Sequence, residues 1–116
     1  MKIIDRATFL EMPAGTLFQK YSPYVFEDLC IKGETTTAAG FFQVDLCGLW
    51  PADCNDTNDF CDALDRMRAG AALPLDLETE CRDGLFDNNQ LFAVWEARDV
   101  EALIARLGAA LRSDAA

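Results

Sequence analysis

Histidine is absent from this chain of 116 residues. Its absence removes Ser-His-Asp and Cys-His nucleophile systems, the usual proton shuttle near neutral pH, and most zinc and iron sites. Any catalysis would have to rest on carboxylates or thiols, and no pair of acids is marked by its setting for split pKa values. The expectation is a protein that is not an enzyme and has no catalytic residues. Basic side chains are scarce as well. Ten Lys and Arg stand against twenty Asp and Glu, leaving a net charge of −10, so the counterion release that drives nucleic-acid binding would work against this chain. Direct binding to DNA or RNA is not expected.

Cys30, Cys47, Cys54, Cys61 and Cys81 form an odd set without a Cys-x-x-Cys pair, which disfavours a disulfide framework and a zinc ribbon. The expectation is reduced, mostly buried thiols, no bound metal and no cofactor. No stretch approaches the roughly 18 consecutive apolar residues of a membrane span. The N-terminus, Met-Lys-Ile-Ile-Asp, lacks the apolar run of a signal peptide. Residence in the cytosol, away from membranes, is expected.

What remains is a globular composition: 51% hydrophobic residues with seven glycines and four prolines. Residues 1–116 are expected to form one acidic α+β domain, with an antiparallel or mixed sheet of five or six strands, a mid-chain helix and a C-terminal helix. Ile3 and Ile4 suit a short strand, and Asp5 caps a brief helix carrying Phe9 and Leu10 that Met12-Pro13 stops. Ala14-Gly15 turns the chain. Leu17–Tyr21 and Tyr24–Lys32 read as two antiparallel strands, the second ending at Lys32-Gly33-Glu34.

Phe41–Leu49 reads as another strand. Asn55, Asp56 and Thr57 are alternative N-caps for a helix to about Ala69, with Phe60, Ala63, Leu64 and Met67 on one face and Gly70 at C′. Leu73, Leu75 and Leu77 alternate with Pro74, Asp76 and Glu78 as a half-buried strand would. Asp83-Gly84 and Asp87-Asn88-Asn89 are turn chemistry around Leu85-Phe86. Leu91–Trp95 is a strand, followed by a helix that Asp99 caps and whose Val100, Leu103, Ile104, Leu107 and Leu111 share a face. Ile104 and Leu107 are expected to pack that helix onto the core beside Trp95.

Three chemical motifs fail on their own residues. Asp53-x-Asn55-x-Thr57-x-Asp59 echoes a calcium loop, but Asn58 stands where the sharp-turn glycine belongs and Leu64 where the bidentate glutamate belongs. Ala14-Gly15-Thr16 is too short for a phosphate cradle and lacks its lysine. Cys47, Cys54 and Cys61 recur every seven residues, yet a strand and a helix separate them.

The distribution of charge is the feature that stands out. Residues 53–87 hold ten acids and three arginines, so −7 of the −10 lies there. On a helix, steps of three residues rotate about 60° backwards, so Asp59, Asp62 and Asp65 sweep from the flank of the apolar stripe to its opposite side. On a strand, Asp76, Glu78 and Glu80 would face one way about 6.6 Å apart. With Asp56, these acids are the candidate partner-binding residues. Solvated faces of amphipathic elements account for much of this pattern, but like charges this dense repel, and a surface built for stability alone mixes signs.

Two stretches carry a resemblance. Ile-Ile-Asp-Arg-Ala-Thr-Phe-Leu, Met-Pro-Ala-Gly-Thr-Leu-Phe-Gln-Lys-Tyr and Ile-Lys-Gly-Glu near the start resemble the opening of small proteins carried by tailed phages and prophages. Arg82 to Asp87, followed by Gln90-Leu91-Phe92-Ala93-Val94-Trp95 and the last helix, resembles their end. The resemblance implies a phage-encoded protein acting in the host bacterial cytosol and raises the class of anti-CRISPR inhibitors; it transfers no active-site residue. The expected function is inhibition of a host defence nucleoprotein, such as a CRISPR effector, by an acidic face that occupies its basic, nucleic-acid-binding surface. The alternatives are a phage accessory or assembly protein bound to another phage protein, and a small enzyme.

Overall fold

The computed structural model describes residues 1–36, 40–46, 51–84 and 87–114. It has the α+β architecture expected. Among the described residues seven strands form one sheet: β1 (Lys2–Ile4), β2 (Leu17–Ser22), β3 (Val25–Phe26), β4 (Cys30–Thr35), β5 (Phe41–Asp45), β6 (Cys81–Asp83) and β7 (Leu91–Val94). Three helices among the described residues accompany it: α1 (Arg6–Leu10), α2 (Thr57–Arg68) and α3 (Ala97–Asp114). The order across the sheet is β1-β7-β2-β4-β5-β6, with β3 pairing β2, and every pairing between these strands is antiparallel.

The last strand is thus inserted between the first two. Ile4 lies opposite Phe92, and Phe18 opposite Val94, so chain ends distant in sequence share the centre of the fold. The registers also set one common face: Phe18 pairs with Cys30, and Phe41 pairs with Asp83. On this face Phe18, Cys30, Phe41, Phe92 and Val94 are buried and meet Phe9 of α1, with Ile4 and Leu10 packed at the margin. Asp5 caps α1 by accepting a hydrogen bond from the Thr8 amide at 2.9 Å, as its residue type predicts. Five helical residues could not persist alone. Burial of Phe9 holds them down.

Three charged residues border this aromatic core. Arg6 and Lys32 are buried, their cationic ends each 5.8 Å from a ring centroid, Arg6 over Phe41 and Lys32 over Phe9. Lys32 Nζ donates to the Gly33 carbonyl at 3.1 Å and to Thr35 Oγ1 at 2.9 Å, and burial lowers its pKa against a weaker pull upward from Glu34. Asp83, also buried, pairs with Lys20 at 2.8 Å.

Several boundaries differ from the sequence expectation for physical reasons. Tyr24–Lys32 is not one strand: β3 and β4 flank a break over residues 27–29, which adds a strand to the sheet. Nor does Lys32-Gly33-Glu34 end β4, which continues to Thr35 through a register shift opposite β5. Gly33 is required there by close approach, since a Cβ at that position would lie 3.0 Å from Phe42 Cβ. The strand expected from Leu73 to Leu77 does not form. Leu75 makes a single bridge to Pro51, and Leu75 and Leu77 are 52% and 48% exposed. Their alternation with polar residues is real, but among the described residues no neighbouring strand supplies the ladder. The expected strand to Leu49 is described to Asp45, and residues 47–50, like Leu85-Phe86, lie outside the described residues.

The C-terminal helix is the largest correction. It starts at Ala97, so Asp99 sits in its first turn, where Oδ2 accepts from the Glu96 amide at 2.9 Å and also binds the N-terminal ammonium. Both contacts lower the Asp99 pKa, the ammonium most. Trp95 is half-buried, with its indole N–H donating to Gln19 Oε1 at 3.2 Å. Ile104 and Leu107 do not pack on the core; they are 64% and 59% exposed. The helical period identifies an apolar face but not what that face meets. No helix among the described residues is long and apolar enough to cross a membrane.

Candidate functional site

Among the three N-cap candidates, Asp56 caps α2, its carboxylate accepting from the Asp59 amide at 2.8 Å. Asp59 reaches back to accept from the Asn55 amide at 3.0 Å. Two helix-start amides are thereby satisfied by acids that also complement the helix dipole. The other end closes on Gly70 at φ 109°, with the Gly70 amide on the Met67 carbonyl and the Ala71 amide on the Arg66 carbonyl, both at 3.0 Å. This is a Schellman arrangement, and the positive φ explains the glycine.

Helical spacing then disposes the acids as expected. Ala63 is buried, Phe60, Leu64 and Met67 are half-buried, Asp59 is partly covered, and Asp62 and Asp65 are exposed. No ion pair involving an α2 acid forms among the described residues, although Arg66 and Arg68 lie on the same helix.

An open cavity of about 440 Å³ lies beside α2, walled by Asp53, Asp59, Asp62 and Arg66 on its polar side and by Ala52, Ala63, Leu73 and Pro74 on its apolar side. Cys54 lines it too. Burial pushes the Cys54 thiol pKa up, and the charges of Asp59, Asp53 and Asp56 push it further, with Arg66 opposing. Those acids therefore act on one point in space. Asp53 belongs to this group although it was not among the candidate residues. It adopts φ 65°, a left-handed conformation that Asp tolerates better than most residues. The signal was its place as the first of five aspartates spaced by three.

Asp76, Glu78 and Glu80 do not form the expected row on a strand. Asp76 instead closes a turn: Oδ1 accepts from the amides of Glu78 at 2.9 Å and Thr79 at 3.0 Å, and Oδ2 accepts from the Thr79 hydroxyl. The Thr79 hydroxyl bond, then the Glu78 and Thr79 amides, lower its pKa. Glu78 is exposed, while a Glu80 carboxylate oxygen lies over Gly33, 3.1 Å from where a Cβ there would sit. The structure thus gathers Asp53, Asp59 and Asp62 along one cavity, with Asp56 acting on the Cys54 that lines it, leaves Asp65 on the far flank of α2, and sets the acids of residues 76–80 apart.

Thiol exposure also departs from expectation. Cys30 is buried and Cys54 half-buried, but Cys61 and Cys81 are exposed; Cys47 lies outside the described residues. No group of three or more Cys, Asp or Glu side chains placed to hold a metal occurs among the described residues. No protein-family model, curated protein or solved structure matches the chain.

Proposed function

We propose that this chain is an acidic binding protein that docks through α2 and the loop before it onto a basic surface built to hold nucleic acid. In its sharpest form the partner is a host defence nucleoprotein, such as a CRISPR effector, and the chain is a phage-encoded inhibitor. The observation that supports this reading is the set of α2 acids. Asp62 and Asp65 are exposed, and neither forms an ion pair among the described residues. Asp62 shares a wall of the cavity with Asp53 and Asp59, and Asp65 carries the negative charge round to the far flank of α2. Unpaired carboxylates in this density repel one another, and a basic partner relieves that repulsion on binding.

A phosphate backbone presents the same kind of repeated anionic charge, so the two compete for one groove. The direct test is biological. Expression of the chain in a CRISPR-immune bacterium should restore plating of the targeted phage, and Asp62→Lys with Asp65→Lys should abolish the restoration. If plating stays blocked in hosts with each of the common effector types, the inhibitor reading fails. Binding of a basic partner would then be sought among phage proteins.

A further inference from the structure

The apolar face of α3 is largely left over by the fold. Val100 and Leu103 are half-buried, but Ile104, Leu107 and Leu111 are 64%, 59% and 73% exposed. Single exposed apolar residues are ordinary, whereas a continuous row on one helix marks a contact surface. Positions 100, 104, 107 and 111 step by four, three and four. That 3.5-residue repeat keeps all four on one seam of a left-handed helix pair.

The whole molecule has surface to spare. Its radius of gyration is 16.5 Å, against about 13 Å for a compact chain of this length. It exposes 8010 Å², about 1,700 Å² more than a typical monomer of its mass. That excess is larger than the roughly 800 Å² each partner contributes to a standard interface.

We propose that α3 is the interface of a homodimer in which two copies pair their C-terminal helices antiparallel. Charge selects a second copy as the occupant. α3 itself carries three acids, Asp99, Glu101 and Asp114, and three arginines, so the helix is neutral within a chain of net charge −10. Here two copies meet with least repulsion. Charge also selects the direction: Asp99 and Glu101 against Arg98 leave the first half of α3 net negative, with Glu96 just before it, while Arg106 and Arg112 against Asp114 leave its second half net positive. Antiparallel pairing sets each acidic end beside the partner's basic end and opposes the helix dipoles favourably, whereas parallel pairing sets like against like.

One register satisfies both patterns. With Ile104 opposite Leu107 of the partner subunit, Val100 falls opposite Leu111 of the partner subunit. An open, mostly apolar groove of about 330 Å³ lined by Met1, Trp95, Asp99, Ala102 and Leu103 lies on the neighbouring face of α3, outside the seam. Gly108 and Ala110 flank the seam, and the Arg112 guanidinium lies over Gly108, 3.3 Å from where a Cβ there would sit. This inference is independent of the acidic-face reading and carries the opposite salt dependence.

The test is sedimentation equilibrium of the full chain over low to high micromolar concentrations, at low and high salt. A reversible dimer is expected, tighter at high salt because screening relieves repulsion between the acidic bodies. Ile104→Glu with Leu107→Glu should be monomeric with an unchanged circular dichroism spectrum, since both sites are exposed in the monomer. Arg106→Glu with Arg112→Glu should weaken the dimer about tenfold at low salt. A wild-type monomer at every concentration overturns the proposal, as does a dimer that survives the double glutamate variant. A monomer that instead binds an unrelated protein through α3 also overturns it, and an undiminished dimer on arginine reversal overturns the antiparallel arrangement.

Discussion

Phe9 stacks face to face on Phe92, with ring centroids 4.0 Å apart and planes 3° from parallel. It also meets Phe18 at 4.7 Å and Phe41 edge-on at 5.0 Å. One side chain from a five-residue helix thereby touches rings from β2, β5 and β7, and it is itself fully buried. Phe9→Ala should therefore cost about 3–5 kcal/mol, read as a fall in the urea midpoint at unchanged slope. Phe9→Leu should cost less, because it refills much of the volume.

The C-terminal helix gives the opposite expectation. Leu107 is mostly exposed, so Leu107→Ala should change the stability of the monomer by about 0.5 kcal/mol or less. The measurement belongs at low protein concentration and low salt, where the chain is monomeric. A loss of several kcal/mol there would place Leu107 in a core.

Asp76 provides a pH signature. Its folded-state pKa lies below that of an ordinary aspartate because the ionised carboxylate accepts bonds from Thr79 and Glu78. A depressed folded pKa means that the stabilisation is fully present above the unfolded pKa and is lost as pH falls through the folded one. The advantage of wild type over Asp76→Ala should be complete at about pH 5 and above, shrink below 3.8, and vanish once the carboxyl is protonated in both states. Denaturant melts across the acid range measure it. A difference that is constant down to the lowest pH would contradict the turn.

Thiol alkylation mapped by mass spectrometry should sort the cysteines by exposure and charge. Cys61 and Cys81 should react in the native protein, and Cys30 only on unfolding. Cys54 should lag behind Cys61, because burial and the acids around it disfavour its thiolate. Asp59→Asn should speed it.

Much of the scaffold is legible in the sequence because it depends on neighbours along the chain. Asp5 and Asp56 as caps, Gly70 as a helix stop and the α2 stripe are all local relations, and the structure has them. What depends on remote partners is not legible. Leu73 to Leu77 has the alternation of a strand, yet among the described residues its one bridge is from Leu75 to Pro51. The α3 stripe has the pattern of a packed helix, yet the sheet does not cover it. For the candidate site, the exposure of Asp62 and Asp65 follows from helical rotation alone. The role of Asp76 does not: its local hydrogen bonds with Glu78 and Thr79 take a carboxylate that a regular strand would have presented outward.

The measurement that bears most directly on the acidic face is capture of a bacterial partner by the immobilised wild-type chain and by Asp62→Lys with Asp65→Lys, each at low and high salt. Both substitutions are at exposed positions, so folding should stay within about 0.5 kcal/mol. The reversal at Glu27 and Asp28, also exposed, is the control. Wild type should hold a basic protein that high salt releases and that added nucleic acid displaces; the α2 reversal should lose it and the control should keep it. Equal capture by wild type and the folded α2 reversal would show that these acids are a solvated surface and would contradict the account.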